Sequence, residues 1–290
     1  MKDKQVTVLL PVYNEEDAIH STIEGIKKVM SSTNVAYEII AVNDGSTDST
    51  KSTLEKERDI RLINNAYNLG YGASLKKGLK AAKYPWVFML DADGTYPIKD
   101  MPMLMKHMDE YDMVVGARTG KNVNIPLMRR PAKFILTNLA RFLTKKKIPD
   151  LNSGMRLFKK EVAMEFFHLY PSGFSFTTTI TLACLTNDYT VKFVPIDYFK
   201  RKGKSTVHPI SAFINFNKII FKMVLYFEPS KFFLWPGFIL ALVGIVYGAY
   251  QVLTTAPRNL GQFPIMVFLA GLQIAFLGLI AELIVKSRRK

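Results

Sequence analysis

The polar and apolar positions of the first two hundred residues switch between two periods. Short apolar runs, closed by polar residues or Arg, occur at Val6–Val12, Tyr37–Asp44, Ile60–Asn65, Trp86–Asp93 and Tyr111–Arg118. Each predicts a buried strand. Helical spacing fills the gaps. "EEDAIHSTIEGIKKVM" puts Ala18, Ile19, Ile23, Ile26 and Val29 on one face, "STDSTKSTLEKE" opens on cap residues, and "GYGASLKKGLKAAK" is entered through glycines. From about Arg130 the pattern turns helical, with one further strand at Thr190–Ile196. Strands alternating with helices predict an α/β domain, its sheet largely parallel and covered by helices on both faces. In such sheets ligands sit beyond the carboxyl ends of the strands. Asn14 and Glu15, Asn43 and Asp44, Asn68, and Asp91 with Asp93 all follow strand ends, and that convergence marks the expected site.

The C-terminal pattern differs. No charged residue occurs from Phe232 to Pro257, and none between Arg258 and Glu282. Each stretch exceeds the roughly 20 apolar residues that cross a hydrocarbon core, so two transmembrane helices are expected. Before them, His208–Phe227 carries apolar residues at helical spacing, with Asn215, Asn217, Lys218 and Lys222 on the remaining surface. Beside two spans, this predicts a helix lying in the membrane interface. The expected domains are a cytoplasmic α/β domain at 1–206, a juxtamembrane amphipathic segment at 207–231 and a two-helix anchor with a basic tail at 232–290.

The first residues lack the apolar region of a signal peptide. The loop between the spans carries only Arg258, whereas Lys231 and "KSRRK" flank the outer ends. Both termini are therefore expected in the cytoplasm, with the protein in the cytoplasmic membrane. The single cysteine, Cys184, excludes an intrachain disulfide and fits a reducing compartment. A net charge of +15 admits nucleic acid, anionic lipid or a phosphate-bearing substrate as partner. The spans favour the last two, and no nucleic-acid partner is expected. Basic residues concentrate near the spans, at "KKK" from Lys145, at "FKRKGK" and in the tail, where acidic headgroups would meet them.

"LDADGTYP" (Leu90–Pro97) holds the first candidate chemistry. Alternation along the strand end puts Asp91 and Asp93 on the same side. Two carboxylates there suit Mg²⁺ or Mn²⁺, ions that pair protein carboxylates with substrate phosphates. Asp44 lies at a strand–turn–helix junction in "VNDGSTDST" and could accept hydrogen bonds from a base or ribose, with Asp48 or Ser49 serving as a cap. "NLGYGASLKKG" offers a glycine-rich helix entry suited to close approach by a nucleotide, with Lys76 one turn in. No G-x-x-x-x-G-K-[ST] is present, which excludes a P-loop. The four histidines are scattered without metal-ligand spacing, and Met101, Met103, Met105 and Met108 read as packing.

In order along the chain, "VTVLLPVYNEEDAI", "AVNDGSTDST", "NLGYGASLKKGL", "LDADGTYP", "GAR", "LNSGMRLFKKE" and "FKRKGKST" resemble the inverting family 2 glycosyltransferases of GT-A fold. They are most similar to polyprenyl-phosphate glycosyltransferases of the dolichyl-phosphate mannose synthase and undecaprenyl-phosphate glucosyltransferase type. The resemblance covers roughly Val6 to Thr206. It implies a Rossmann-like mixed sheet and a metal-dependent transfer of a sugar from a UDP- or GDP-sugar to the phosphate of a polyprenyl phosphate. Pro11, Tyr13, Glu15, Asp44 and Lys76 would line the nucleotide pocket, and Asp91 and Asp93 would hold the metal on the donor diphosphate. Thr95 and Tyr96 replace the Gln and His frequent in the family. Arg118, Arg129 and Arg130 would hold the acceptor phosphate. Asp150 and Ser153–Arg156 would stand beside the active site, Asp150 among its catalytic groups. Arg201, Lys204 and Ser205 would close over the phosphates. Related anchored enzymes imply a possible homo-oligomer, a tetramer among the options.

A polysaccharide synthase would carry Q-x-x-R-W and more spans, and neither is in this sequence. Transfer to another membrane lipid stays open. A catalytically silent, sugar-nucleotide-sensing scaffold is the alternative outside enzymes. The intact Asp44, Asp91, Asp93 and Arg118 argue against it.

Overall fold

The computed structural model describes residues 4–123, 137–138, 140–142, 144–173, 175–200, 225, 229–254 and 260–287. They fall into two compact units divided between Ala212 and Phe213. The first unit holds strands β1 (Gln5–Val12), β2 (Ala36–Asn43), β3 (Arg61–Asn64), β4 (Trp86–Met89), β5 (Met113–Val123), β6 (Arg156–Lys159) and β7 (Val191–Tyr198). Its helices are α1 (Ile19–Ser31), α2 (Thr50–Lys56), α3 (Tyr71–Ala81), α4 (Met101–Met105), α5 (Lys160–Glu165) and α6 (Phe176–Thr186). The strands form one sheet in the order β3-β2-β1-β4-β6-β5-β7.

Pairing is parallel throughout except for β6, which runs antiparallel to both β4 and β5. The sheet is thus mixed by one strand. Every residue of β1 after Gln5 is buried, as are all four of β4. That is why these strands read as continuous apolar runs rather than alternating ones. On α1, Ile19, Ile23, Ile26 and Met30 are fully buried and join one core with Val6, Val8, Phe88, Leu104 and Met105. Each such side chain contributes about 1.5–3 kcal/mol of transfer free energy. Met101, Met105 and Met108 lie in this core, whereas Met103 is exposed.

Pro11 occupies a central strand, where a missing N–H ordinarily breaks a ladder. The carbonyl of Val12 accepts from Asp44 of the β2 side, and that of Leu9 accepts from Leu90 of the β4 side. Alternation directs position 11 toward β4. Pairing with β4 ends at Leu9–Met89, so Pro11 lies past the last β1–β4 pair. The two central strands part at this point, and the strand order reverses between them.

Three expectations change here. The strand predicted for Trp86–Asp93 stops at Met89, so Asp91 and Asp93 lie on the following bend rather than on strand alternation. The helix predicted from Glu15 begins at Ile19, because the Glu15 carbonyl is taken by the amides of Ala18 and Ile19 in a turn. The stretch after Arg130 contains a second strand, β6, too short for a period to show.

The second unit contains α7 (Pro229–Thr254) and α8 (Gln262–Ser287), a helix pair. Phe232–Thr254 has a mean hydropathy of 2.0 and Gln262–Ser287 of 2.3, and both are long enough to cross a membrane. Small residues bring the two backbones together. A Cβ on Gly271 would lie 2.4 Å from the amide nitrogen of Ala241, the close approach typical of helix contacts in lipid. The interfacial helix expected at 207–231 falls almost wholly outside the described residues.

Candidate active site

The strand order reverses between β1 and β4, and the crevice beyond their carboxyl ends is where open α/β sheets bind ligands. Beyond β1, Asn14 adopts φ 53°. Its backbone N–H donates to Ser46 Oγ at 3.1 Å, and its Oδ1 accepts from the Thr47 amide at 2.8 Å. The Glu15 amide donates to Thr50 Oγ1 at 2.8 Å. The loops after β1 and β2 are therefore one stitched surface, with Tyr13 and Glu15 half-buried on it and Pro11 buried beneath.

Asp44 is buried and engaged. Its Oδ1 accepts from Asn65 Nδ2 at 2.7 Å and the Leu69 amide at 2.9 Å, and its Oδ2 accepts from the Gly70 amide at 2.9 Å. Those bonds take three of about four acceptor directions. Asp44 thus fastens the loop that leads into α3. Lys76 directs its ammonium to the carbonyl of Tyr170 at 3.2 Å.

The glycine-rich entry of α3 needs correction. The first amides of the helix do not face an open pocket. Gly72 N–H donates to the Gly173 carbonyl and Ala73 N–H to the Ser172 carbonyl. A Cβ on Gly72 would sit 2.2 Å from the carbonyl oxygen of Pro171. The chain's own 171–173 segment is what approaches closely, and it satisfies donors that would otherwise attract an anion.

Asp91 and Asp93 lie just beyond β4, half-buried. Asp93 Oδ1 accepts from the hydroxyl of Thr95 at 2.6 Å and from its amide at 3.2 Å. Asp91 Oδ1 accepts from the Tyr71 phenol at 2.6 Å. Burial first, then the charge of Asp93, pushes the Asp91 carboxyl up to about 6, against the lowering influence of Tyr71, Arg118 and Arg156. A pair that repels itself in this way fits a divalent cation and would be relieved by one. Among the described residues no group of three or more His, Cys, Asp or Glu gathers for a metal. Water or substrate oxygens can complete the shell of a cation held by these two carboxylates. Tyr96, standing where the family often has His, is buried, and its phenol oxygen accepts from the Gly154 amide at 2.6 Å.

Asp150 and Arg118 come together. Arg118 donates from Nε at 2.7 Å and Nη2 at 3.0 Å to the two oxygens of Asp150, and its backbone N–H adds a third bond at 3.0 Å. The guanidinium carbon lies 5.1 Å from the Tyr198 ring centroid. Burial opposes the charge on Arg118, but Tyr96 and the bonds to Asp150 outweigh it and hold its pKa above the usual arginine range. Asp150 is 0% exposed. Its geometry is that of a group that orients Arg118.

Sequence reasoning passed over Tyr71 and named Arg156 only within the Ser153–Arg156 stretch beside the site. Tyr71 carried no signal, because its partner is on another element. Arg156 was visible only as the end of a motif. It is fully buried, and its bonds go to the carbonyls of Ser153 and Thr177 and the hydroxyl of Thr181. With no carboxylate bonded to it among the described residues, it lies as a cation close enough to Asp91 to lower that carboxyl. Burial lowers its pKa. Arg129, Arg130, Arg201, Lys204 and Ser205 lie outside the described residues.

Residues 7–167 match the family described as Glycosyl transferase family 2, and residues 228–286 match the GtrB C-terminal hairpin. A dolichyl-phosphate hexose transferase of Haloferax volcanii is 29% identical over 222 residues, covering 76% of this chain and 94% of that protein. An undecaprenyl-phosphate 4-deoxy-4-formamido-L-arabinose transferase of Edwardsiella ictaluri is 24% identical over 297 residues, covering 96% and 88%. Among solved structures, a glucosyl-3-phosphoglycerate synthase of Mycobacterium tuberculosis in complex with Mn²⁺ and UDP-glucose superposes with a TM-score of 0.58. It covers 77% of this chain and 78% of its own at 20% identity, a likeness of fold.

Proposed function

We propose, for a chain that belongs to glycosyl transferase family 2, the transfer of a sugar from a nucleotide sugar to the phosphate of a membrane polyprenyl phosphate, with inversion at the anomeric carbon. The observation that carries this reading is the Asp91–Asp93 pair at the strand-order reversal, with Arg118 held rigidly nearby, in a chain whose relatives are named for dolichyl and undecaprenyl phosphate. The GtrB-type hairpin of two long apolar helices supports a lipid-borne acceptor.

The chemistry follows from charge. A phosphate monoester with its second pKa near about 6 is largely dianionic at neutral pH, so it attacks the sugar C1 without a strong base. No carboxylate need remove a proton, which agrees with Asp150 being locked to Arg118. Asp91 and Asp93 would hold Mg²⁺ or Mn²⁺, which when bound supplies charge stabilisation to the departing nucleoside diphosphate. Tyr13, Glu15, Asp44 and Lys76 are assigned to the donor side, through the stitched loops and the loop that Asp44 fastens. Arg118, Arg129, Arg130, Arg201, Lys204 and Ser205 are assigned to the acceptor phosphate. Two of the roughly five N–H donors of Arg118 are spent on Asp150, which fixes the guanidinium plane and leaves the others for a phosphate oxygen.

The test is a screen of radiolabelled sugar nucleotides with undecaprenyl or dolichyl phosphate in defined vesicles. Label should enter a lipid product only when the polyprenyl phosphate is present. Label passing to diacylglycerol or ceramide, and none to polyprenyl phosphate, overturns the acceptor assignment.

Arg118→Lys separates the two halves of the pocket. A lysine keeps the charge but loses the fork that grips Asp150. The specificity constant for polyprenyl phosphate should fall about 10-fold or more, in line with the loss of charged hydrogen bonds worth about 1.5–3 kcal/mol each. Donor binding, followed by calorimetry on the same variant, should change far less. A collapse of donor affinity with normal acceptor dependence would reassign Arg118 to the donor.

Both termini and the α/β unit are placed in the cytoplasm, by the lysine and arginine bias around the spans. A cysteine at Asn259 should then react with an impermeant thiol reagent in intact cells. Cys184 is fully buried and gives no background. Labelling only after permeabilisation reverses the topology.

A further inference from the structure

Asp91 and Asp93 are held in different ways. Asp93 is oriented by its own loop, through Thr95 two residues on. Asp91 is oriented by two distant parts of the chain. On one side the phenol of Tyr71, the first residue of α3, donates to Oδ1 at 2.6 Å. On the other, Oδ2 lies against Gly154, where a Cβ would stand 2.1 Å from it. Tyr71 is itself immobilised. The loop before it is fastened to Asp44, and the amides just after it donate to the carbonyls of Gly173 and Ser172. A phenol on so fixed a backbone can hold a carboxylate in one orientation, whereas a phenol on a loose loop would follow it.

We propose that Tyr71 is a positioning residue for the divalent-cation site, setting the orientation in which Asp91 meets the ion. The proposal rests on the reading of Asp91 and Asp93 as the cation's protein ligands. Groups that hydrogen-bond a metal-ligating carboxylate typically account for about 10–100-fold in metal affinity or activity. With two carboxylates in the set among the described residues, misorientation of one removes half of what they contribute. Tyr71→Phe deletes the donor and keeps the ring, so packing in the first turn of α3 is retained.

The experiment is a Mn²⁺ titration of the full-length protein in detergent, with free Mn²⁺ read by electron paramagnetic resonance. Wild type, Tyr71→Phe and Asp91→Asn are compared, and thermal melting is recorded for each without metal. Mn²⁺ should bind wild type, bind Tyr71→Phe about 10-fold more weakly, and not bind Asp91→Asn measurably. The Mn²⁺ concentration for half-maximal transfer should rise by a similar factor in Tyr71→Phe, with the rate at saturating Mn²⁺ retained and the melting temperature unchanged. Wild-type affinity in Tyr71→Phe, or a loss of affinity that merely tracks a loss of melting temperature, overturns the role of Tyr71 alone. No difference between wild type and Asp91→Asn overturns the cation reading beneath it.

Discussion

Asp93→Ala, and equally Asp91→Ala, should abolish sugar transfer while the protein keeps its fold. Removing a group that stabilises developing charge in a dry site costs about 10²–10³ in rate, and each substitution removes half of the protein's hold on the cation. The fold is expected to survive for a specific reason. The folded-state pKa of Asp91 is raised to about 6, from the ordinary carboxylate range, by burial and then by Asp93. The native state therefore binds the proton more tightly than the unfolded chain, and stability falls as pH rises from about 4 to about 6 through this group. At neutral pH the ionised Asp91 is a burden on the metal-free protein. Asp91→Ala should thus cost little stability at pH 7 without metal, relief of the buried charge offsetting the lost bond from Tyr71, while being inactive. Chelation should mimic the variant, with Mg²⁺ or Mn²⁺ restoring activity. Full turnover after rigorous chelation would remove the metal from the mechanism.

Gly154→Ala should be nearly as damaging, through a single methyl group. The new Cβ would lie 2.1 Å from Asp91 Oδ2 and 2.5 Å from its Cγ, far inside contact distance. Gly154 is not at positive φ, so alanine can adopt the backbone and the conflict is confined to the carboxylate. Asp91 must leave its position, breaking its bond to Tyr71. Transfer should fall by about 10² or more, as for a displaced stabilising group, and Mn²⁺ binding should weaken in parallel. A normal rate with normal Mn²⁺ dependence would mean that the observed placement of Asp91 is not the working one.

The half of the fold built from buried runs was legible in the sequence. β1, β2 and β4 are covered on both faces, and their composition announces it. β6 was not legible. Its four residues open with a buried Arg156, a residue type that reads as surface until the carbonyls of Ser153 and Thr177 are seen around it. The site divides in the same way. Residues that chemistry selects by type, Asp91, Asp93 and Arg118, could be named from motifs. Residues that matter by where they touch could not. Nothing local ties Tyr71 to Asp91, or Gly154 to the same carboxylate. The glycines entering α3 show how a correct inference can reach the wrong neighbour. Close approach was required, and it comes from the carbonyls of 171–173 rather than from a ligand.

The reversed strand β6 also sets an order in time. β1 to β4 and the helices between them are contiguous in the chain, and every pairing among those strands, the distant one of Val6 with Trp86 included, is made within them. The wall against which Asp91 rests adjoins a strand that pairs Arg156 with Met89, a contact that waits until that part of the chain has been synthesised. During synthesis the chain exposes a finished-looking first half well before residue 154 has emerged. At that stage Asp91 and Asp93 exist without the surface that shapes them. A nascent chain arrested ahead of β6 would carry the acids but not the site: the antiparallel strand brings the wall at Gly154, and the 171–173 carbonyls that fix the start of α3 follow it.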